Sequence, residues 1–536
     1  MDYKKNFALK KKDRKIDIGQ LFKERANILL IIIIIIQICT LVHYGRMKKG
    51  YYVDEVWSYG LANSYYHPHV YWNDALSEWV SGDYFKEYLE VSEAERFKYG
   101  SVIFNQKNDV HPPLFYAILH TICSFFPNTF SKWYVIVPNL FCFFICMVLL
   151  YKIGKVLFDN SYLALMPVIA YGLCSGSISN VMFLRMYALL NVWILYSFYL
   201  HSKWIKSEYV DLKGFFKLMI ITYLGFMSHY YYFIFAFFLA VCYIFFLFWK
   251  KQIMQIVSYC LAMAGSFVLV LLTFPTAFAH LLFGYRGREA FENLLKVNNF
   301  FAALKRFYEI MIEDTLANCG FFLWIGIIGG IILLIKKYFL EKEEKSAGFY
   351  IVLTGIVIIS AYMAVVAKIA PFHVDRYIFC IYPLVSLILT YLFYFILREF
   401  SIPPVWGQVF ITVLFVMLTI KGIYENRIHY LYPEAEKNIE LMEEHSGDDC
   451  IYITNEYYKL TGNALELENM GRVLALMPEN MEDLSNILDE SVDEMIVYVD
   501  EWYNQDEIMK LFCDAGKFRT YRLLFVSRCY AYVVER

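Results

Sequence analysis

The stretch LMIITYLGFMSHYYYFIFAFFLAVCYIFFLFW, residues Leu218 to Trp249, contains no Lys, Arg, Asp or Glu and decides the class of fold. An α-helix rises about 1.5 Å per residue, so roughly 20 apolar residues cross a hydrocarbon core about 30 Å thick. The stretch is too long for one crossing, and the polar pair Ser228-His229 divides it. It therefore predicts two membrane-spanning helices joined by a tight turn at one surface of the bilayer.

Similar apolar runs recur up to about residue 425, so we predict a polytopic α-helical membrane protein. Hydrophobic residues make up 59% of the 536 residues and charged residues only 19%, whereas soluble proteins have about 25% charged residues. One further apolar segment, His111 to Phe126, is short; it either dips into the bilayer or crosses it with another helix, which gives about 11–13 transmembrane helices. The eleven clear spans lie near residues 26–43, 133–151, 161–178, 187–203, 214–228, 230–249, 254–281, 317–335, 348–367, 378–397 and 406–422.

The distribution of positive charge predicts which side of the membrane each loop occupies. Residues 1–28 carry nine Lys and Arg against four Asp and Glu, and short loops rich in Lys and Arg stay in the cytoplasm. Residues 1–25 are therefore expected to be a basic cytoplasmic N-terminus, and eleven crossings from there place the C-terminal tail outside the cell. The loops assigned to the cytoplasm agree, because they carry Lys152, Lys155, Lys203, Lys206, Lys213, Lys217, Lys250, Lys251, Lys336 and Lys337.

The last part of the chain, residues 430–536, has a different composition. It carries nine basic and 23 acidic residues, and its apolar runs alternate with helical patterns, as in α/β domains. We predict a small, soluble, acidic α/β domain on the extracytoplasmic side, whose simplest role is that of an accessory domain. The predicted strands are Cys450–Thr454, Arg472–Leu476, Met495–Val499 and Arg522–Val534, and the predicted helices are Met481–Leu488 and Gln505–Cys513.

The loops assigned to the outer face carry most of the ionisable residues that candidate chemistry requires. Such residues at a membrane boundary are costly to bury and are functional candidates by default. They converge on one face from five separate helical hairpins, the largest being the first extracytoplasmic loop, residues 44–132. The candidates are Asp54, Glu55, Asp109, His111, Arg185, His229, Tyr230, Arg286, Lys368 and Arg376.

Two acidic motifs in the first loop are the strongest candidates. Asp54 and Glu55 lie among aromatic residues soon after the first span, where a partly desolvated carboxylate suits a general base; the alternative is a solvated acidic pair. Asp109 and His111 precede two prolines, which restrict the backbone and begin a helix. These two residues are either held at the helix entrance for function or simply cap the helix.

The remaining candidates each have a functional and an ordinary interpretation. Arg185 lies between two apolar spans, where it either binds a phosphate, which fits guanidinium geometry, or extends toward lipid headgroups. Arg286 and Arg376 are either phosphate ligands or loop charges, and His229 is either a site residue or a satisfied interfacial histidine.

No cofactor is required by any motif, although a divalent metal remains possible. Its ligands would come from Asp54, Asp109, His111 and His229, but their spacing is not diagnostic of a metal site. The twelve cysteines also lack ligand spacing, and most lie inside apolar runs, as buried structural thiols do.

Three motifs in this order resemble the GT-C membrane glycosyltransferases. They are Val53-Asp54-Glu55-Val-Trp-Ser, Asp109-Val-His111-Pro-Pro-Leu and Arg185-Met-Tyr-Ala-Leu. The chain is most similar to the protein mannosyltransferase and aminoarabinose transferase group (glycosyltransferase family 39-like). In that group a late span begins with Arg-Tyr, and Asp375-Arg376-Tyr377 of this chain resembles that start. The resemblance covers residues 26–425, the expected GT-C-like transmembrane domain, and does not extend to the acidic tail.

The resemblance implies an enzyme that moves a hexosyl or pentosyl group from a polyprenyl-phosphate donor to an acceptor on the outer face. It implies that Asp54 is the catalytic base, that its neighbour Glu55 positions the acceptor, and that a single displacement inverts the anomeric carbon. The donor and acceptor site is expected to include Asp109, His111, His229 and Tyr230, and the lipid-phosphate site Arg185, Arg376, Lys368 and Arg286.

The expected partners are a polyprenyl-phosphate sugar, a protein or cell-envelope glycan or lipid acceptor, and membrane lipid, with no nucleic acid. Two other functions stay open. A transporter or flippase of a lipid-linked saccharide would need polar or broken helices at mid-membrane, whereas the charged residues here lie at span ends. A non-catalytic membrane assembly protein would depend on its acidic tail and not on Asp54.

Overall fold

The computed structural model describes residues 18–71, 76–296, 299–341, 345–489 and 492–536. Most of the predicted cytoplasmic N-terminal segment, residues 1–17, lies outside this range. The described chain is mainly helical and ends in a domain built on a small mixed sheet. The predicted class, a polytopic helical membrane protein with a C-terminal α/β domain, is confirmed.

The helices follow the apolar runs of the sequence closely, with additional short helices in the loops. Within the described residues and in chain order they are α1 (Ile18–Met47), α2 (Val53–Asn63), α3 (Asp83–Leu89), α4 (Tyr99–Lys107), α5 (Leu114–Phe125), α6 (Trp133–Phe158), α7 (Leu165–Gly172), α8 (Ser175–Met182), α9 (Tyr187–Ser207), α10 (Leu212–Ser228), α11 (Tyr232–Trp249), α12 (Ile253–Thr273), α13 (Thr276–Leu282), α14 (Tyr285–Leu295), α15 (Phe300–Leu316), α16 (Phe321–Ile335), α17 (Ala347–Ile369), α18 (Tyr382–Glu399), α19 (Pro404–Tyr424), α20 (Ala435–Glu444), α21 (Ala464–Leu467), α22 (Leu484–Ile487) and α23 (Gln505–Gly516).

Eight helices of the described chain are long and apolar enough to cross a bilayer: α1, α6, α11, α12, α16, α17, α18 and α19. The pair α7 and α8, bent by 66° at a short break, would make a ninth crossing. Large apolar side chains such as Ile31, Phe245 and Trp406 face outward, which suits contact with lipid and would be an unusually large apolar patch in water. All eleven predicted spans contain helix, but those at 187–203 and 214–228, which match α9 and α10, lack the length or apolar character of a span.

The polar character of α9 has a physical cause, because α9 lies inside the helix bundle. It packs against α6, α10, α11 and α17, and its buried polar side chains are paired with neighbouring tyrosines. Ser197 Oγ is 2.6 Å from the Tyr232 hydroxyl, and His201 Nε2 is 3.1 Å from the Tyr259 hydroxyl. An interior helix can carry such pairs because no lipid reaches them.

The first loop, described over residues 44–71 and 76–132, contains helices of its own. It folds into the helices α2 to α5, and α5 has only 12 residues. At about 1.5 Å per residue it extends roughly 18 Å, which is too short to cross the hydrocarbon core alone. Because α5 packs against α2, α4, α6 and α10, the uncertain segment from His111 to Phe126 rests on the protein and is not a crossing by itself.

The C-terminal domain contains a six-stranded sheet in the order β1-β3-β2-β4-β6-β5. Strand β2 is parallel to β3 and β4, whereas β6 is antiparallel to β4 and β5. The predicted strand Arg522–Val534 is in fact a hairpin, and the edge strand β1 comes from the first loop. The strands are β1 (Val80–Ser81), β2 (Asp449–Ile453), β3 (Arg472–Leu476), β4 (Glu494–Asp500), β5 (Thr520–Val526) and β6 (Cys529–Glu535).

Candidate active site

Asp54 lies in the first turn of α2, where the helix dipole favours a negative charge. The helix begins here because the Glu55 carboxylate accepts a hydrogen bond from the Tyr52 backbone N–H at 2.5 Å, as an acidic residue at this position of a helix often does. One carboxylate oxygen of Asp54 is 3.4 Å from Nη2 of Arg376, and the Asp54 side chain is 18% exposed. The carboxylate therefore faces a cation and keeps an open side for a ligand.

Arg185 lies in the short connection between α8 and α9 and is buried. Its Nη1 donates to the Asp54 carbonyl oxygen and to Ser58 Oγ, each at 3.0 Å. Its Nη2 donates to His111 Nε2, also at 3.0 Å. Arg185 does not extend toward lipid headgroups, since its guanidinium points inward and joins the membrane helices to the first loop beside Asp54.

Asp109 and His111 form a hydrogen-bonded pair next to Arg185. Because Nε2 of His111 accepts from Arg185, the ring proton is on Nδ1, which donates to Asp109 Oδ2 at 2.6 Å. Burial acts to raise the pKa of Asp109, but His111 and, more weakly, Arg185 outweigh it and lower this pKa to about 2. Helix α5 begins at Leu114, directly after the two prolines, as the sequence predicts.

His229, in the turn between α10 and α11, completes this group. The centroid of its ring is 6.2 Å from that of His111 and 5.3 Å from that of Tyr187. Its Nδ1 accepts the Tyr231 backbone N–H at 3.0 Å. Burial, together with His111 and Arg185, holds the pKa of His229 well below its usual range. We refer to Asp54, Ser58, Asp109, His111, Arg185, His229 and Arg376 as the Asp54 cluster.

Glu55 points away from the Asp54 cluster into the protein. Its carboxylate accepts two hydrogen bonds from Lys48 Nζ, at 2.9 and 3.0 Å, and one from the Leu184 backbone N–H at 2.7 Å. Both side chains of the ion pair are fully buried. Burial lowers the pKa of Lys48 and raises that of Glu55, while their attraction opposes both shifts.

Glu55 was expected to position the acceptor, but its carboxylate is fully buried and bonded to Lys48 and Leu184. Leu184, which Glu55 binds, immediately precedes Arg185. Glu55 therefore holds the segment that carries Arg185 against the start of α2, so it positions the Asp54 cluster from behind.

The residue before Arg376 is the centre of a second network. The buried Asp375 carboxylate accepts from the Tyr430 hydroxyl at 2.5 Å, from His429 Nδ1 at 2.8 Å and from the Arg376 backbone N–H at 2.7 Å. The hydrogen bond to Asp375 raises the pKa of His429 to about 8. Burial and the nearby Asp375 raise the pKa of Asp314 to about 8. This network anchors the turn that carries Arg376 to the segment after α19.

Three of the predicted site residues make side-chain contacts with residues outside the Asp54 cluster. A role for Arg286 and Lys368 at the lipid phosphate stays a prediction. The partners are His280 Nδ1 for the Tyr230 hydroxyl (2.9 Å), the Lys296 carbonyl oxygen for Lys368 Nζ (2.6 Å) and Glu289 for Arg286 Nη1 (2.7 Å).

The metal ligands considered from the sequence do not converge on one point. Nδ1 of His111 carries the proton that it donates to Asp109, and its Nε2 lone pair is used by Arg185. Asp54 faces the guanidinium of Arg376. These donors have protein partners in the structure, and a divalent metal at Asp54, Asp109, His111 and His229 stays a prediction.

Among the described residues, one other group of His, Cys and carboxylate side chains is close enough together to hold a metal. It consists of His445, Asp448 and Glu494 in the C-terminal domain. The same nitrogen, Nδ1 of His445, lies 3.0 Å from Asp448 and 3.1 Å from Glu494. An imidazole N–H shared between two carboxylates accounts for this group without an ion.

A cavity and an apolar groove lie near residues of the Asp54 cluster. The cavity, about 450 Å³ in volume, is lined by Arg376 together with Tyr52 and His429. An apolar groove of about 380 Å³ runs between α10, α11 and α12 and includes Phe226 and Tyr232, which flank the turn that carries His229. The arrangement can therefore take a proton at a carboxylate, balance an anion with guanidinium groups, and hold an apolar chain nearby.

Several residues around the Asp54 cluster have no signal in the sequence. Tyr52 is one of 46 tyrosines, yet the centroid of its ring lies 5.1 Å from the Arg376 guanidinium. Tyr116, fully buried in α5, has no protein partner for its hydroxyl among the described residues and its ring is 6.3 Å from that of His111. Lys48 resembles any lysine after a span, and its role depends on the burial of Glu55.

Comparison with known proteins gives matches in structure only. No family model matches the chain, and no curated protein matches its sequence. ArnT from Cupriavidus metallidurans, in a crystal structure with bound undecaprenyl phosphate, has a TM-score of 0.55 at 9% identity, over 94% of this chain and 97% of ArnT. ArnT in the apo state has a TM-score of 0.49 at 10% identity, over 89% and 95%.

The archaeal oligosaccharyltransferase AglB from Archaeoglobus fulgidus, in complex with an inhibitory peptide and a dolichol-phosphate, has a TM-score of 0.45 at 9% identity, over 94% of this chain and 74% of AglB. The likeness to undecaprenyl-phosphate-bound ArnT includes the C-terminal domain as well as the membrane helices, because it extends over 94% of the chain. The protein is thus a multi-pass membrane protein with the GT-C fold of membrane glycosyltransferases.

Proposed function

We propose that this protein is a glycosyltransferase that moves a sugar from a polyprenyl-phosphate donor to a hydroxyl of an acceptor. The observation that carries the proposal is the Asp54 carboxylate, partly open, 3.4 Å from Arg376 and beside the buried Arg185. The fold of ArnT, whose crystal structure contains undecaprenyl phosphate, supports this choice of donor.

Asp54 acts as the general base. An acceptor hydroxyl is a weak nucleophile, so removal of its proton by a carboxylate as it attacks accelerates the reaction. The hydroxyl oxygen forms a bond to the anomeric carbon while the bond from that carbon to the phosphate oxygen breaks. The proton goes to Asp54, and the electron pair of the broken bond goes to the phosphate. This single displacement inverts the anomeric centre.

The leaving group gains charge in this step, since a phosphodiester with one negative charge becomes a polyprenyl phosphate with two. Arg376 is 3.4 Å from Asp54, lines the cavity of about 450 Å³ and balances the new charge. The positive charge of the buried Arg185 also stabilises the developing phosphate charge, because electrostatic effects are stronger in a buried position than in water. The apolar groove beside the turn that carries His229 accommodates the first isoprene units.

We infer that the reaction takes place on the extracytoplasmic face, with the N-terminus in the cytoplasm. The Lys-rich loops on the opposite side support this orientation. The acceptor is a protein or a cell-envelope glycan or lipid. A protease-cleavable tag after residue 536 should be cut in intact spheroplasts, and a tag that is protected until the membrane is permeabilised would reverse the orientation.

The direct test incubates the purified protein with a panel of hexosyl and pentosyl polyprenyl phosphates and with protein, glycan and lipid fractions of a cell envelope. We expect release of polyprenyl phosphate, detected by mass spectrometry, only with a matching donor and acceptor. In parallel, vesicles with labelled donor report transport. Movement of intact donor across the bilayer with no release of polyprenyl phosphate would favour a flippase and contradict the proposal.

Replacing Arg185 with lysine should lower kcat/KM for transfer by about 10²-fold, the effect that displacement of catalytic groups commonly has. Lysine retains the charge but cannot present the planar fork that reaches Asp54, Ser58 and His111 together. The matched control is Arg306→Lys on the exposed side of α15, which should leave kcat/KM unchanged. Wild-type kcat/KM in Arg185→Lys would remove Arg185 from the site.

A further inference from the structure

The first loop and the C-terminal domain share one sheet. Strand β1 pairs antiparallel with β3 through Val80 and Val473 and through Ser81 and Arg472. At the next residue, a Cβ added to Gly82 would lie 2.2 Å from the Met470 carbonyl oxygen, so the two backbones approach as closely as glycine allows. The C-terminal domain is therefore joined to the loop that carries Asp54.

The same domain also contacts the residues that lead into α2. Lys48 Nζ donates to the Tyr430 carbonyl oxygen at 2.6 Å, and the Lys49 backbone N–H donates to the Leu431 carbonyl oxygen at 2.8 Å. The Lys49 ammonium forms an ion pair with Glu436 of α20. The chain from the end of α1 to the start of α2 thus runs along the C-terminal part of the protein.

Arg528 contacts the two residues that immediately precede α2. It lies in the turn between β5 and β6, where its Nη1 donates to the Gly462 carbonyl oxygen at 3.2 Å and its Nη2 donates to the Tyr51 carbonyl oxygen. Its guanidinium is 5.8 Å from the centroid of the Tyr52 ring. Tyr52 is the residue that precedes α2, two positions before Asp54.

Tyr52 connects the two guanidinium groups. Its ring centroid lies 5.1 Å from the Arg376 guanidinium and 5.8 Å from that of Arg528. Arg376 in turn is 3.4 Å from Asp54. A displacement of Arg528 therefore acts on both members of the Asp54–Arg376 pair, through the Tyr51 carbonyl and through the Tyr52 ring.

We propose that Arg528 is a positioning residue for the Asp54 cluster, so that the C-terminal domain is part of the active-site architecture and not a separate module. Arg528 does not touch the reacting atoms. It fixes the point at which α2 begins and hence the direction of the Asp54 carboxylate relative to Arg376. The effect on transfer rests on the proposed function, but the effect on α2 does not.

The test compares full-length Arg528→Met, Arg528→Lys and wild type, with Arg522→Met on an exposed position of β5 as the matched control. Hydrogen exchange of peptides covering residues 50–60 reports on the start of α2 without any need for activity. Arg528→Met should exchange faster there than wild type and should lose about 10²-fold in kcat, as displaced catalytic groups commonly do, with the donor KM little changed.

Arg528→Lys should lie between these extremes, because an ammonium group reaches the Tyr51 carbonyl but cannot also span to Gly462. Unchanged exchange at residues 50–60 in Arg528→Met would overturn the proposal, and so would faster exchange with wild-type kcat. If the wild type transfers no sugar from any donor, the proposed function fails, and the exchange data still decide whether Arg528 fixes the start of α2.

Discussion

Asp54→Asn should abolish sugar transfer while the protein remains folded and inserted in the membrane. Asparagine has the same shape but cannot take the acceptor proton, and loss of a general base lowers rates by about 10²–10⁴-fold. The side chain is 18% exposed and its recorded partner is the Arg376 guanidinium at 3.4 Å, so a neutral amide leaves no strained contact. Release of polyprenyl phosphate from the matching donor is the measurement.

The matched control is Asp159→Asn at the far end of α6. Asp159 is exposed and has a left-handed backbone conformation, φ 52°, which asparagine tolerates well. The control should transfer sugar at the wild-type rate. Activity of Asp54→Asn within a few-fold of wild type would remove the general base from the mechanism, whatever the other variants do.

Breaking the buried Lys48–Glu55 pair should have the largest effect on stability. Glu55→Gln leaves the Lys48 ammonium fully buried without its counter-charge, and Lys48→Met leaves the carboxylate in the same situation. Removing one partner of a buried ion pair costs about 3–5 kcal/mol. Both variants should show a clearly lower thermal unfolding midpoint in detergent, with a smaller yield of monodisperse protein.

The double variant Lys48→Met/Glu55→Gln tests the cause, because it contains neither buried charge and should recover part of the lost stability. The neighbouring pair Lys49–Glu436 is the natural comparison, since its side chains are 35% and 51% exposed. Lys49→Met or Glu436→Gln should cost at most about 1 kcal/mol. Equal destabilisation of the two pairs would show that burial of Lys48 and Glu55 is not what stabilises the start of α2.

The membrane helices could be predicted because their signal is local. A run such as Leu218 to Trp249 is apolar over a length that only a bilayer requires, and the break at Ser228-His229 lies where α10 ends. The prediction was least accurate at α9, where the polar residues Ser197 and His201 are paired inside the bundle. Hydropathy measures transfer into lipid and does not register a partner on a neighbouring helix.

Six of the seven members of the Asp54 cluster, all but Ser58, could also be named in advance, since ionisable residues next to apolar spans are few. Asp54, Asp109, His111, Arg185 and His229 do come together in the structure. Their pairing could not be predicted, because it depends on contacts across more than 70 residues of chain, such as Arg185 with His111. The part played by the C-terminal domain was missed for the same reason, since β1 has only two residues.

Asp54 and Glu55 show the difference between what the sequence predicts and what only the tertiary structure decides. The sequence by itself determined that the protein crosses the membrane many times and that acidic residues follow the first span. It could not distinguish two adjacent carboxylates. Successive residues of a helix point about 100° apart, and only the docking of α2 placed the Asp54 carboxylate beside Arg376, partly exposed, and the Glu55 carboxylate in the core against Lys48. Tertiary packing therefore made one carboxylate available for chemistry and the other a fixed support.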